Sequence, residues 1–300
     1  MNAITRSIFL PSCASRPIES GGVTLSDPEQ ACIQAAELIS QADGLLITAG
    51  AGMGIDSGLP DFRGDQGFWR AYPALGTLGI RFAEIASPRA FRTDPALAWG
   101  FYGHRLQLYR AVQPHAGFHA LIELAATMPH GAAVFTSNVD RQFQKAGFDS
   151  GRVTECHGSI HLVQCLAPCS DTVWPADDID PVVDAVSGHM VSTLPSCPRC
   201  GGLARPNILM FNDAGWIEGS VDKKNSRFQT WITRLRRPVV IELGAGTAIP
   251  SVRIFGQQVG CPMIRINPRE HEVALARDIG IAMGAQEAIA RIVAAMRHAG

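Results

Sequence analysis

Four of the eight cysteines fall in two close pairs, Cys165/Cys169 and Cys197/Cys200. The spacing is C-x3-C, an interval of 27 residues, then C-x2-C. Four thiolates on two short loops suit a tetrahedral zinc ion, with each sulfur about 2.3 Å from the metal. The plain alternative is four free, buried thiols. A metal held by four protein thiolates has no open coordination position, so its role would be architectural. Eight residues before the first of these cysteines stands His157, followed by Gly158. An imidazole with an ordinary pKa of about 6.5 can take a proton near neutral pH, although a lone histidine is more often surface or core filler. Gly50-Ala51-Gly52-Met53-Gly54 follows an apolar run. Bare backbone at such a turn can approach a pyrophosphate closely and offer N–H groups to it. The spacing is G-x-G-x-G, not the dehydrogenase G-x-G-x-x-G, and the loop that follows carries an acid, an aromatic and a guanidinium in Asp61, Phe62 and Arg63.

These residues need elements to position them. A helix is expected from near Ser26 to near Ala42, with Ser26 and Glu29 at capping-box spacing and Ala31, Ala35, Leu38 and Ile39 on one face. Gly44–Ala49, Ala132–Thr136, Val239–Leu243 and Met263–Asn267 read as four core strands, short and apolar as buried parallel strands are. Asp94-Pro95 opens a helix reaching about Arg110, and another runs from about Gly117 to Thr127. Ile289, Ile292, Val293 and Met296 mark a closing amphipathic helix. Ser137, Asn138 and Asp140 follow the second strand, and Gly244-Ala245-Gly246-Thr247 the third. Open α/β sheets collect ligands beyond the carboxyl ends of their strands, while Asn and Asp there can equally serve only to make a turn.

The fold expected is therefore α/β: a Rossmann-like open parallel sheet with a smaller, zinc-binding module inserted. An irregular arm occupies residues 1–25, the sheet domain 26–156 and 206–300, and the module 157–205. The chain has 300 residues, 46% of them apolar and 18% charged, enough to bury a sizeable core. A net charge of −1 gives no global basic field, so neither nucleic acid nor an anionic membrane is an expected partner. The apolar run Ser7-Ile8-Phe9-Leu10 is too short for a secretory signal, and a cytoplasmic protein is expected.

Taken in order, the motifs resemble those of the sirtuin (Sir2) family of NAD-consuming protein deacylases. Gly50-Ala51-Gly52 through Pro60-Asp61-Phe62-Arg63 is similar to the family signature, and Thr136-Ser137-Asn138-Val139-Asp140 to its T-Q-N-I-D. His157-Gly158 resembles the catalytic H-G, the cysteine pairs the structural zinc module, Arg205-Pro206 to Phe211 the substrate-binding strand, and Ile266-Asn267 the ribose-binding I-N. The resemblance spans about residues 30–298. It implies NAD as co-substrate, Zn2+ as a structural ion, and acylated protein lysine as the partner. It implies that His157 is the base acting on a ribose hydroxyl, with Asn138 orienting the nicotinamide ribose or a water. Gly50, Ala51, Gly52, Gly54, Asp61, Phe62, Arg63, Ser137, Asp140, Gly244, Ala245, Gly246, Thr247 and Asn267 would then bind the dinucleotide. Met210 and Phe211 would flank the acyl-lysine. Tyr102 and Arg105, a Y-x-x-R pair on one helical face, resemble the grip that sirtuins removing succinyl or malonyl groups use on the acyl carboxylate.

The sequence departs from the family pattern at several positions. Gly54 stands for the usual Ser, Ser137 for Gln, Gly244-Ala245-Gly246 for a more polar G-T-S, Phe211-Asn212-Asp213 for F-G-E, and Cys169 is one residue late. The departures at Ser137 and at 211–213 keep a second activity in view: NAD hydrolysis or ADP-ribosyl transfer without deacylation. A non-catalytic NAD-sensing scaffold is a third reading, opposed by the retained His157, Asn138 and Arg63.

Overall fold

The structure, a computed structural model, describes residues 27–60, 64–219 and 221–299. The N-terminal arm expected over 1–25 lies outside the described residues. The first helix, Pro28–Ser40, is capped by Asp27, whose carboxylate accepts from the Glu29 N–H at 3.3 Å, with Pro28 at its first position. The cap expected at Ser26 thus falls one residue later, because proline needs no N–H partner at a helix start.

Nine strands are described: β1 Gly44–Ala49, β2 Ala132–Thr136, β3 Val153–Glu155, β4 Gly158–Cys165, β5 Val173–Pro175, β6 Ala204–Ile208, β7 Pro238–Leu243, β8 Met263–Ile266 and β9 Ile279–Ile281. Six form one parallel sheet in the order β3-β2-β1-β7-β8-β9. Counted along the chain within that sheet, the order is 3-2-1-4-5-6, the doubly wound dinucleotide-binding topology. Strand order reverses between β1 and β7, and the crevice beyond their carboxyl ends is the ligand site of this topology.

The sheet is covered on both faces, which explains the uninterrupted apolar runs of its central strands. Leu45, Ile47 and Ala49 of β1 pack under the helices Pro28–Ser40, Ala116–Ala126 and Ala285–Ala299. Leu46, Ala133, Phe135 and Val240 face the other way, toward Phe228 and Phe255 of the helices Val221–Ile232 and Ser251–Gln258. Phe135 and Phe255 stack with ring centroids 3.6 Å apart. Each fully buried Leu, Ile or Phe on these faces stabilises the fold by about 1.5–3 kcal/mol.

Between β3 and β7 the chain leaves this sheet and builds a second one, antiparallel, in the order β5-β4-β6. This lobe has its own core. Ile160, Val163, Ala176, Met190 and Ile208 join Phe68, Tyr72, Leu75, Phe91, Leu97, Trp99, Phe101, Tyr102 and Leu106. The helices between Gly64 and Ala111 therefore share their core with the small sheet, although the sequence reading gave all of 26–156 to the parallel-sheet domain. The Pro95–Ala111 helix is the bridge. Asp94 caps it through the Leu97 N–H at 2.9 Å, and Trp99 donates to the Ala204 carbonyl of β6 at 2.9 Å.

Candidate active site

The crevice at the topological switch point is built from backbone. Gly50 and Gly52, after β1, lie directly against Gly244 and Ala245, after β7. A Cβ on Gly52 would stand 2.6 Å from Gly244 Cα, and one on Gly50 would stand 2.7 Å from Ala245 Cα. Gly244 has φ +57°, and a Cβ there would overlap the Gly52 backbone. The Gly52 N–H donates to the Gly244 carbonyl at 3.0 Å. Glycine is required at 52 and 244 because two main chains meet where a side chain would stand. Gly54 is buried beneath Leu59, Gly246 is half-buried, and Ala51 and Thr247 are exposed at the mouth.

The other loops join this seam by main-chain bonds. The Ser137 N–H donates to Ala49 O at 3.2 Å, Thr136 Oγ1 donates to Ala49 O at 2.8 Å, and the Cys156 N–H donates to Thr136 O at 2.8 Å. Ser137 and Asn138 are half-buried, and Asp140 is buried. Asp140 Oδ1 accepts from the Gln142 N–H at 3.0 Å, and burial pushes its carboxyl up to about 6. His157 sits at the point where the chain passes from the large sheet to the small one. Its Nε2 lies 3.2 Å from Ser251 Oγ, and its carbonyl accepts from the Leu209 N–H at 2.9 Å. Burial lowers its pKa to about 4, so at neutral pH the imidazole is uncharged and can accept a proton.

Asn267 is buried at the end of β8 with its side chain committed to the protein. Its Nδ2 donates to Ala245 O at 3.0 Å, and its Oδ1 accepts from the N–H groups of Arg269 and Glu270 at 3.0 and 3.1 Å. It therefore fixes the Gly244–Thr247 loop against the 267–270 turn. Thr247 donates from its N–H and its hydroxyl to Glu270 at 3.1 and 2.7 Å. Arg253 donates to Ala245 O from Nε and Nη2 at 3.1 and 3.0 Å and also bonds the Glu270 carbonyl. Sequence reasoning missed Ser251, Arg253 and Glu270. The signal for Ser251 was present in Pro250-Ser251, a helix start seven residues past Gly244.

In the segment after β6, Met210 is buried and Phe211 exposed, with the Phe211 ring 5.9 Å from that of Phe82. Arg205 and Asp213, both fully buried, clasp the turn between them. Nη1 and Nη2 of Arg205 reach the carboxylate at 2.7 and 2.9 Å, and the Gly215 N–H donates to Asp213 Oδ1 at 3.1 Å. Tyr102 and Arg105 are both buried in this lobe. Tyr102 stacks on Phe91, while Arg105 donates from Nε and Nη2 to the Tyr109 hydroxyl at 3.1 and 2.7 Å. Its guanidinium also lies 5.2 Å from the Phe101 centroid, 5.8 Å from Tyr102 and 5.3 Å from Tyr109. Tyr109 is the member of this group that the Y-x-x-R spacing did not reveal. Asp61, Phe62 and Arg63 lie outside the described residues.

The cysteine quartet converges despite its late second member. The sulfurs of Cys165, Cys169, Cys197 and Cys200 all lie within 4.8 Å of one another, Cys165 to Cys200 at 3.7 Å and Cys169 to Cys197 at 3.6 Å. Tetrahedral zinc with Zn–S of about 2.3 Å places its sulfurs roughly 3.8 Å apart, so the four fit such an ion. Backbone N–H groups of Cys200 and Arg199 pull the Cys197 thiol down, while burial and the neighbouring thiols push Cys165 and Cys169 up; without a cation four sulfurs this close do not all ionise.

A model described as the Sir2 family matches residues 50–226. The chain belongs to the Sir2 family. An NAD-dependent protein deacylase of Pyrococcus furiosus is 34% identical over 181 residues, which cover 60% of this chain and 66% of that one. The match thus spans just under two-thirds of that relative's length. NAD-dependent protein deacylase 1 of Pseudomonas aeruginosa is 32% identical over 238 residues, covering 78% of this chain and 86% of its own. A solved complex of a Sir2 homologue with NAD superposes with a TM-score of 0.67 at 25% identity, covering 94% of this chain and 97% of that one.

Proposed function

We propose that the protein removes acyl groups from protein lysine at the expense of NAD. NAD supplies the C–N glycosidic bond whose cleavage drives the reaction, leaving nicotinamide and O-acyl-ADP-ribose. The observation that carries this reading is the junction at His157: an uncharged, half-buried imidazole between the loops after β1 and β7 and the β6–Met210 segment. There it can take the proton of a ribose hydroxyl, a step to which a positioned base contributes about 10²–10⁴-fold. Gly50, Gly52 and Gly244 let the two loops close against each other, and the main chain gathered there at the switch point is where a pyrophosphate would approach. Asn138 and the buried Asp140 stand at the end of β2, where the nicotinamide half would lie.

Acetyl-lysine is one substrate of this reading, and succinyl- or malonyl-lysine is the other. Arg105 supports the acidic acyl groups, because it presents a guanidinium in a buried aromatic lobe beside two phenols, the chemistry that receives a carboxylate. Zn2+ bound by Cys165, Cys169, Cys197 and Cys200 would hold the small sheet in place and touch no reacting atom.

Incubation with NAD and matched acetyl-, succinyl- and fatty-acyl-lysine peptides, with the products weighed by mass spectrometry, tests the reading. O-acyl-ADP-ribose is expected from the wild-type chain and at least a hundredfold less from His157→Ala, with NAD binding retained. Free ADP-ribose without O-acyl-ADP-ribose would replace deacylation by NAD hydrolysis.

A further inference from the structure

The catalytic base has one side-chain neighbour that no motif announced. Ser251 Oγ lies 3.2 Å from His157 Nε2 and comes from 94 residues farther along the chain. We propose that Ser251 is a positioning residue for His157: its hydroxyl accepts the Nε2–H, which leaves Nδ1 as the nitrogen with a lone pair for the substrate proton. This rests on the deacylase reading given above.

The geometry has two parts. First, Ser251 stands on a rigid mount. It opens the Ser251–Gln258 helix, and two residues on Arg253 ties that helix to Ala245 O and to the Glu270 carbonyl. The loop expected to hold the dinucleotide and the residue that orients the base are therefore one unit, and a base held by locked neighbours keeps its productive geometry. Second, a hydroxyl suits both protonation states. In the proton transfer the ribose O–H bond breaks, its electron pair stays on oxygen, and the proton lands on Nδ1. The resulting imidazolium still donates from Nε2 to Ser251 Oγ, now as a charge-assisted bond, which is roughly twice as strong as a neutral one.

Ser251 thus offsets part of the cost of charging a ring largely withdrawn from water, the same desolvation that lowers the pKa of His157. Charged groups on the surrounding elements are engaged elsewhere. Glu155, on the same strand end, faces Lys224 and Arg141; Asp140, on the β2 loop, faces Gln142 and Arg105; Arg253, on the helix, faces Ala245, Glu242 and Glu270.

Ser251→Ala, compared with Ser251→Thr and wild type, tests the assignment. Loss of one such hydrogen bond in the transition state is expected to lower the deacylation kcat about tenfold. The KM for NAD should stay within about twofold, and nicotinamide exchange into NAD, which precedes the proton transfer, should persist. The acid limb of the kcat/KM profile should move to lower pH, and Ser251→Thr should restore both rate and profile. A wild-type kcat and profile in Ser251→Ala would overturn the proposal, as would parallel loss of exchange and NAD affinity, which would make Ser251 part of the loop alone. 15N NMR of His157 without substrate separates this from failure of the deacylase reading. Ser251→Ala should lower the ring's pKa and its Nε2–H population whatever the enzyme acts on, and an unchanged ring would overturn the contact.

Discussion

The switch-point loops and the small lobe are made in opposite ways. On the switch-point side, Gly50, Gly52 and Gly244 build the site by having no side chains, and the contacts run from main chain to main chain. In the small lobe, large side chains are buried together: Phe101, Tyr102 and Tyr109 around the Arg105 guanidinium, and Arg205 paired with Asp213. A backbone-built region has few ways to vary, since any added atom overlaps the opposite loop. A side-chain region can change its selectivity by exchange of one residue. On the proposed reading the pyrophosphate is common to every substrate pair and would meet the backbone-built side, whereas the acyl group is the part that differs and would meet the side chains.

The strongest way to break the contrast is to add a methyl group to the seam. Gly244→Ala places a β-carbon at φ +57° against the Gly52 backbone. The backbone strain costs about 1–3 kcal/mol and the overlap about 1–3 kcal/mol more. NAD affinity, measured by calorimetric titration, should fall at least tenfold, with a lower Tm in the same sample. Wild-type affinity and Tm would show that the two loops can part, and the backbone-built region would lose its explanation.

The difference between the two regions also decided what the sequence made legible. A seam that needs bare backbone writes itself locally, as G-x-G after an apolar run, at Gly50-Ala51-Gly52 and again at Gly244-Ala245-Gly246, where only the resemblance implied a ligand role. The four central strands were found because two covered faces demand unbroken apolar runs. The edge strands β3 and β9, three residues each, are too short to carry a period. Pairs such as His157 with Ser251 and Trp99 with Ala204 exist only once the chain has folded, because no local rule joins residues so far apart. Tyr109 was within reach, since it lies four residues from Arg105 on one helical face. The Y-x-x-R spacing is already filled by Tyr102, so it does not point to a second phenol.

The lobe side should fail through stability before it fails through binding. Arg205→Leu leaves Asp213 as an uncompensated charge in a fully buried place, a loss of about 3–5 kcal/mol. Thermal melting should show it directly, while NAD affinity of the folded fraction stays near wild type. Replacing both partners, Arg205→Leu with Asp213→Leu, should recover part of the loss because neither charge remains. A double variant no better than the single one would mean that Asp213 acts chiefly by holding the Met210 and Gly215 N–H groups, which it also accepts at 3.3 and 3.1 Å.

A smaller effect comes from a buried acid at the end of the sheet's edge strand, and it sharpens the contrast with Asp213. Glu155, at the end of β3, is buried, and its Oε1 has no hydrogen-bond partner among the described residues. Burial pushes its carboxyl up to about 7 against the opposing pull of Lys224 and Arg141. In the unfolded chain the same group titrates near 4.3. The folded state therefore keeps a proton that the unfolded state has released, so the stability contributed by Glu155 is fully present below about pH 4 and is lost as pH rises through about 7. Glu155→Gln keeps the shape and removes the titration. The variant should melt close to wild type at pH 4 and above it at pH 8, by an amount equivalent to about 1–3 kcal/mol, the usual cost of an unsatisfied buried group. Urea titrations at the two pH values measure this. If the difference between variant and wild type does not grow with pH, Lys224 and Arg141 hold the ionised carboxylate well enough to cancel its burial, and Glu155 belongs with Asp213 as a satisfied charge.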